Sequence, residues 1–474
     1  MSRPALKMRS SSLPVPLGDR NWNGFVLGAV CTTVGIATWS FVVGTSSAYY
    51  LDAKMGAAAM LAGGIIGQLL ITLATVPAST KYGLETVTTT KPQLGVRGSY
   101  IALFFQYATA LGWNTVLMIF FGRAAGSVLE ILGVIPPGAR ETTSTLIAGA
   151  GVVLVWVLVS RGSRSLKKIG PVVAILTSLL TIYLLYVLLS TYGVTAIANA
   201  EPLEPWADRL VNYTSVVELL IASTWGWWSY MGGIVRMTGR ARKAILPSMI
   251  GLGVAWVLVG IVSLYAALVT GEGDPTIWAP ELAGPAGGIA VLVFVAFANI
   301  TSPLVGAFIA TLGLSQLPHV NTRIGWKPLS ALVLLPMFVT VLLFGNAFYD
   351  NVDAFMAFLG LMIAPMVGIQ LADWYLLRRI DTLRVASLFD HSPRSAYWYT
   401  GGFNIAGIAA LLLGSATYIA IMNPVTYEPH TVLFKYTTAS LPAVLVGAVV
   451  YAVLSRLMYR DRADDGSAKE PAER

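Results

Sequence analysis

Two tryptophans near the middle of apolar segments are the side chains best suited to hold a flat molecule. Trp113 lies in Leu111-Gly112-Trp113-Asn114-Thr115, and Trp225 in Thr224-Trp225-Gly226-Trp227-Trp228. Membrane tryptophans usually sit at the lipid–water interface. Two at mid-depth on separate segments offer aromatic faces to a planar heterocycle, and Asn114 offers an amide near its edge. An earlier stretch, Gly35-Ile36-Ala37-Thr38-Trp39-Ser40, repeats the small residues and the Thr-Trp pair. The Trp225 stretch is followed by Gly232-Gly233, and glycine weakens a helix by about 1 kcal/mol relative to alanine, which favours local unwinding. Interrupted helices at matching places in two halves point to a midplane site in a secondary transporter. Ordinary small-residue helix packing explains the same pattern.

Oxygen ligands for a cation come from Ala298-Asn299-Ile300-Thr301-Ser302-Pro303. Pro303 has no backbone N–H and frees a carbonyl one turn earlier. The Thr301 and Ser302 hydroxyls, with freed carbonyls and an unwound segment around Gly35, make a hard-oxygen site suited to Na⁺. Interhelical hydrogen bonding is the other use of these hydroxyls. Two carboxylates fall inside apolar segments, Glu218 and Asp373. A charge there needs a partner, a proton or water. Asp373 precedes Arg378 and Arg379, which suits an ion pair with the loop. Glu218 lies seven residues before Trp225, about 10 Å of helix rise, and Arg123 lies ten after Trp113, about 15 Å. The spacing predicts that Glu218 and Arg123 meet, as a packing or gate pair or as a proton or substrate site.

Much chemistry is absent. No G-x-x-x-x-G-K-[ST], G-x-S-x-G or H-E-x-x-H occurs, so neither an ATP-driven pump nor these hydrolase classes are visible. His319, His391 and His430 stand alone, and Cys31 is the single cysteine. No enzyme, metal centre or cofactor is expected beyond Na⁺ or H⁺ as coupling ion. Charged residues make up 11% of the 474 and apolar residues 56%, whereas soluble domains carry roughly 25% charge. That balance excludes a soluble enzyme, a disordered scaffold and a disulfide framework.

The elements that must position these groups are apolar runs of about 20 residues, the length of a membrane helix. Twelve follow: 23–46, 56–77, 99–121, 143–160, 170–190, 213–235, 245–270, 286–315, 329–346, 355–377, 398–421 and 436–457. Alternate connections collect all but five of the 31 Lys and Arg, the exceptions being Lys54, Arg123, Arg140, Arg209 and Lys435. The positive-inside rule therefore predicts an even number of spans and two cytoplasmic termini. The clusters Arg161-Arg164-Lys167-Lys168 and Arg236-Arg240-Arg242-Lys243 read as headgroup anchors rather than nucleic-acid contacts. The other connections are short and acidic, Asp274, Asp350 and Asp353 among them.

Together these stretches resemble the nucleobase–cation symporter-1 family, the cytosine/purine, uracil, allantoin and hydantoin permeases. The best local match is Pro365-Met366-Val367-Gly368-Ile369-Gln370-Leu371-Ala372-Asp373-Trp374-Tyr375-Leu376-Leu377-Arg378-Arg379. Gly83, the Leu94-Gly95-Val96-Arg97-Gly98-Ser99 loop, Gly112-Trp113, Ile234-Val235-Arg236, and Tyr397-Trp398-Tyr399 with Asn404 add to it. The resemblance covers roughly residues 20–420. It implies an all-α polytopic protein of the LeuT type, with two inverted five-helix repeats (22–192 and 210–379) and two further helices. It also implies that Trp113 and Trp225 match the stacking tryptophans, and that Ala298, Thr301 and Ser302 match a sodium-ligand stretch. Departures are visible: Leu117 replaces an expected glutamine, Gly233 replaces an aspartate, and the helix-eight asparagine has no counterpart.

The reading is a ten-helix core at 22–379 after a cytoplasmic tail at 1–21, then a loop and helices eleven and twelve at 380–458, and a cytoplasmic tail at 459–474. The expected function is cation-coupled import of a small nitrogenous heterocycle across the plasma (inner) membrane by a monomer in the lipid bilayer. The alternatives are an amino-acid or amine symporter with Glu218 recognising the amine, or a channel or transport-dead sensor. The candidate substrate residues are Thr38, Trp39, Trp113, Asn114, Leu117, Trp225 and Gly226. The candidate cation residues are Gly35, Ala298, Asn299, Thr301 and Ser302, with Glu218 and Arg123 as a proton or gate site.

Overall fold

Short polar side chains open the helices where the apolar runs begin, each accepting from an otherwise unpaired N–H of the first turn. Asn23 caps α1 (Gly24–Gly35), Asp52 caps α3 (Ala53–Tyr82), Asp208 caps α7 (Arg209–Trp225), Asp274 caps α10 (Pro275–Leu314) and Asn404 caps α13 (Ile405–Ile421). Between them lie α2 (Trp39–Ala48), α4 (Ser99–Ile131), α5 (Arg140–Ser160), α6 (Ile169–Thr191), α8 (Trp228–Val235) and α9 (Trp256–Thr270). The remaining long helices are α11 (Trp326–Asp350), α12 (Val352–Leu371) and α14 (Ser440–Met458). The computed structural model describes residues 13–136, 138–161, 169–315, 317, 320 and 323–459. Arg164, Lys167, Lys168, His319 and the tail after 459 lie outside the described residues.

Nine helices among the described residues are long and apolar enough to cross a membrane, or ten if the bent pair α1 and α2 is one span. The all-helical class expected from the sequence is observed. The count differs from twelve because α7 and α13 hold 17 residues each, and α8 continues α7 only after a break. The eighth segment is also longer than expected. Its helix begins at Pro275, and Gly284 at φ 70° splits off the first turns before the long run resumes.

The interruptions fall where small residues permit them. α1 and α2 are bent by 63° across Ile36-Ala37-Thr38. α7 ends at Trp225 and α8 starts at Trp228, with Gly226 between. Two more irregularities are π-helical turns, Ile250–Ala255 before α9 and Ala372–Leu376 after α12. Such turns widen a helix by one residue and commonly mark sites where a helix must bend. Gly35 sits against Gly251, so a Cβ at Gly35 would run into the Gly251 carbonyl. Small residues let the first and seventh segments approach backbone to backbone, the usual basis of helix contact in lipid.

Asp373 is buried as expected, but within a wider knot. It lies 3.5 Å from Arg379 and accepts from Gln93 at 2.7 Å and Tyr451 at 2.8 Å. The loop after it packs on the connection before α4. Lys91 there donates to the Leu388 carbonyl, and burial pulls Lys91 down to about 8. His391 is drawn down to about 4 by burial first and by Lys91 second.

Candidate functional site

A cavity of about 450 Å³ opens beside the two helix breaks. Its walls come from α1 and α2, α4, the α7–α8 break and α10. Trp39 starts α2, and its ring centroid lies 5.1 Å from Trp113 on α4 and 6.0 Å from Trp227 in the break, with interplanar angles of 57° and 60°. Trp256 backs Trp39 at 4.4 Å, and Phe355 meets Trp113 edge-on at 5.4 Å. Indoles at these distances and angles hold one another by favourable tilted and edge contacts. They present aromatic surface to the cavity with little rotamer freedom.

Gly226 explains how Trp113 reaches the break. A Cβ there would lie 2.7 Å from the Trp113 indole nitrogen, so any side chain would push the indole aside. Asn114 lies against Gly306 of α10, where a Cβ would meet both amide atoms at 2.5 Å. Leu117 lines the same wall. Gln106, two turns earlier on α4, also lines the cavity and donates to the Ser229 carbonyl at 3.1 Å. The cavity continues toward the end of the bundle that carries Glu85 and Arg236. Neutral amides and tryptophan faces thus surround its middle, and charged groups stand at one end.

Two of the cation candidates, Thr301 and Ser302, border this cavity, whereas Gly35, Ala298 and Asn299 lie behind its wall. Thr301 and Ser302 line it together with Ile36 and Ala37 of the first break. Thr301 donates to the Ala298 carbonyl at 2.8 Å. Asn299 is fully buried, accepts from the Thr38 hydroxyl and keeps its amide nitrogen without a partner among the described residues. Thr38 therefore pins the break to α10 from behind the cavity wall. Gly35 ends α1, whose last carbonyls have no partner within the helix. Hydroxyls and helix-end carbonyls are hard neutral oxygens of the kind Na⁺ takes.

Two expectations fail. Trp225 does not reach the cavity. It is fully buried and donates to the Gly67 carbonyl at 3.1 Å, on the far side of α7. Trp227, two residues on, occupies the wall instead; two residues turn a helix by about 200°, so the faces are opposite. Glu218 and Arg123 do not meet. Arg123 binds Asp274 at 2.8 Å, Asp350 at 3.4 Å and Asn346 at 3.0 Å, and covers the Tyr349 ring at 4.1 Å. Glu218 accepts from Tyr418 at 2.9 Å, Ser440 at 2.6 Å and the backbone nitrogens of Ala439 and Ser440 at 3.1 and 3.0 Å. It is a tie between α7 and the start of α14, away from the cavity. Gln106 and Trp227 were not singled out from sequence. The run Trp225-Gly226-Trp227-Trp228 carried the signal for Trp227, and nothing local marked Gln106.

Broken first and sixth segments around one aromatic cavity define a membrane transporter rather than an enzyme. The sequence model of a family described as permeases for cytosine/purines, uracil, thiamine and allantoin matches residues 15–447. The chain belongs to this family, the nucleobase–cation symporter-1 family. It is similar to the allantoin permease of Bacillus subtilis (strain 168), at 30% identity over 108 residues, 23% of this chain and 20% of that one. The chain thus aligns to about a fifth of that relative's length. It is 21% identical over 438 residues to the purine-uracil permease NCS1 of Arabidopsis thaliana, covering 84% of this chain and 69% of that one. Among solved structures, the inward-facing conformation of Mhp1 superposes with a TM-score of 0.79 at 14% identity, covering 98% of this chain and 99% of that one. Mhp1 closed with bromovinylhydantoin bound gives 0.74 at 16% identity, covering 96% and 99%. These likenesses carry the fold.

Proposed function

We propose that the chain imports a small nitrogenous heterocycle by coupling its entry to a cation. The observation that carries this reading is the cavity between Trp39, Trp113 and Trp227, set against the break at Ile36-Ala37-Thr38 and the hydroxyls of Thr301 and Ser302. A flat ring between Trp113 and Trp227 gains aromatic contact on both faces. Asn114 and Gln106 supply amide donors and acceptors to its edge. A cation among Thr301, Ser302, the Ala298 carbonyl and the end of α1 draws α10 and the first break together. That is the arrangement that forms the ring site, so each ligand favours the other, a coupling of typically 1–3 kcal/mol. The relatives' recognition of purine, uracil, allantoin or a hydantoin supports the same chemistry.

In this reading Na⁺ is the cation at α10. The amine-symporter alternative loses its support, because Glu218 faces α14 rather than the cavity. α7 with α8, and α13, complete twelve spans with both termini cytoplasmic, as the basic connections favour. The cavity end at Glu85 and Arg236 then faces the cytoplasm. Uptake of labelled bases, hydantoins and allantoin into proteoliposomes, with and without a Na⁺ gradient, tests the reading. Uphill accumulation of one heterocycle is expected, and no accumulation of any under either condition would sink it.

A further inference from the structure

The ends of α2 and α12 away from Glu85 and Arg236 meet at a carboxylate that the aromatic cavity does not use. Asp353 is the second residue of α12. Its Oδ2 accepts the Tyr50 hydroxyl at 3.2 Å, and Ser46, one turn earlier, adds a hydroxyl beside it. Its Oδ1 is enclosed and has no hydrogen-bond partner among the described residues. No lysine or arginine forms an ion pair with it among the described residues, for Arg123 is taken by Asp274 and Asp350. The other titratable groups around it are acidic or phenolic. Tyr49 feels the charges of Glu204, Glu272, Asp353 and Asp274 together. The Tyr427 ring lies 6.2 Å from Tyr50, and its hydroxyl donates to the Ser215 carbonyl. Glu218 lies beyond Tyr427, held by Tyr418 and α14.

We propose that Asp353 is a proton-binding site, and that its protonation favours closure of the outer end of the cavity between α2 and α12. An enclosed carboxylate oxygen at the end of a span needs a cation, a proton or water. Among the described residues no lysine or arginine supplies the cation, and the surrounding carboxylates make the local field negative, which favours a positive ligand. Hydroxyl partners suit a proton in particular. A phenol donates to a carboxylate and accepts from a carboxylic acid without moving heavy atoms. The step is simple: a solvent proton adds to a carboxylate oxygen and no other bond breaks. α2 belongs to the broken first segment and α12 to the second half, the parts that move against each other in such transporters. Closing them encloses the carboxyl, so the neutral form closes more readily. Naming this end the outer one rests on the transport reading above.

The test uses the full chain reconstituted in lipid, with infrared difference spectra recorded on acidification, a readout that needs neither substrate nor transport. A carboxylic-acid C=O band should grow in the wild type and be missing in Asp353→Asn. Tyr50→Phe keeps the carboxyl and removes its partner. It should keep the band and shift its midpoint by about one pH unit, a tenfold change in proton affinity. A band unaltered by Asp353→Asn, or a midpoint unmoved by Tyr50→Phe, overturns the site. If Asp353→Asn does not fold, the Tyr50→Phe midpoint decides. Closure is read separately, by labelling Leu117→Cys from outside in a Cys31→Ser background. Labelling should slow on acidification and lose that dependence in Tyr50→Phe; pH-independent labelling of the parent overturns the link to closure. Failure of heterocycle uptake alongside a positive infrared result would remove the transport reading and leave the proton site standing.

Discussion

At the scale of single residues, the tryptophans divide by which way they point. Trp227→Ala and Trp113→Ala should each weaken heterocycle binding by about 1 kcal/mol or more, the scale of an aromatic contact. Equilibrium binding of a labelled heterocycle measures it. Trp225→Phe should leave that affinity unchanged and lower stability by about 2–3 kcal/mol, because the indole bond to Gly67 is lost and the smaller ring leaves a cavity in a fully buried site. Thermal unfolding in detergent checks the second half; an affinity loss in Trp225→Phe would return that residue to the site. Glu218 divides in a similar way. A glutamine there can keep its oxygen toward the backbone nitrogens of Ala439 and Ser440 and turn its N–H₂ toward the Tyr418 and Ser440 hydroxyls, but the charge that strengthens all four bonds is lost. Glu218→Gln should therefore cost about 1–3 kcal/mol of stability, while the pH profile of uptake keeps its shape.

At the scale of elements, the breaks and the loop clamp carry separate predictions. Gly226→Ala should displace the Trp113 indole and reduce heterocycle affinity by at least the about 1 kcal/mol of a lost aromatic contact, with the helices intact by circular dichroism. Thr301→Ala combined with Ser302→Ala should abolish Na⁺ stimulation of binding and spare much of the Na⁺-free affinity; full stimulation in the double variant would defeat the cation assignment. The clamp between the α3–α4 connection and the loop after α12 responds to acid. His391 is held at about 4 against an ordinary 6.5, so between those values the unfolded chain binds more protons. Stability contributed here is complete above 6.5 and is lost as pH falls through 4. His391→Gln should flatten the acid limb of a melting-temperature profile over that window, and an unchanged limb would place the sensitivity elsewhere.

At the scale of the whole molecule, the two ends of the bundle differ in charge and closure. One end gathers Arg123, Asp274, Asp350 and the Tyr50–Asp353 contact; the other carries Glu85, Arg236 and the Lys91 clamp. Cysteines placed at Asp350 and Arg394, both exposed, should label from outside and from the cytoplasm respectively. Cys31 is buried, so in right-side-out vesicles the added thiols dominate the signal. Outside labelling at Arg394 would overturn the even-span orientation.

Composition and period alone determined the class of this protein. Eleven per cent charge spread over apolar runs of helix length leaves no option but a helical membrane bundle, since lipid satisfies no backbone group. The small residues and Thr-Trp pairs of the first and sixth segments marked the neighbourhood of both breaks, because helix propensity is local, while the Gly232-Gly233 pair stays helical within α8. The Ala298–Pro303 stretch marked a wall of the cavity for the same reason: its hydroxyls and its missing N–H are properties of the chain itself. Which face each residue presents was settled only in three dimensions. Trp225 and Trp227 are two positions apart and point to opposite sides of the chain, a difference set by how α7 and α8 pack. Glu218 and Arg123 were placed by rise along their helices, and rise carries no azimuth. Their true partners, Ser440 and Asp274, lie 222 and 151 residues away. Asp353 reads as one more acidic loop residue, and only the fold brings the Tyr50 hydroxyl, just past the end of α2, to its carboxylate.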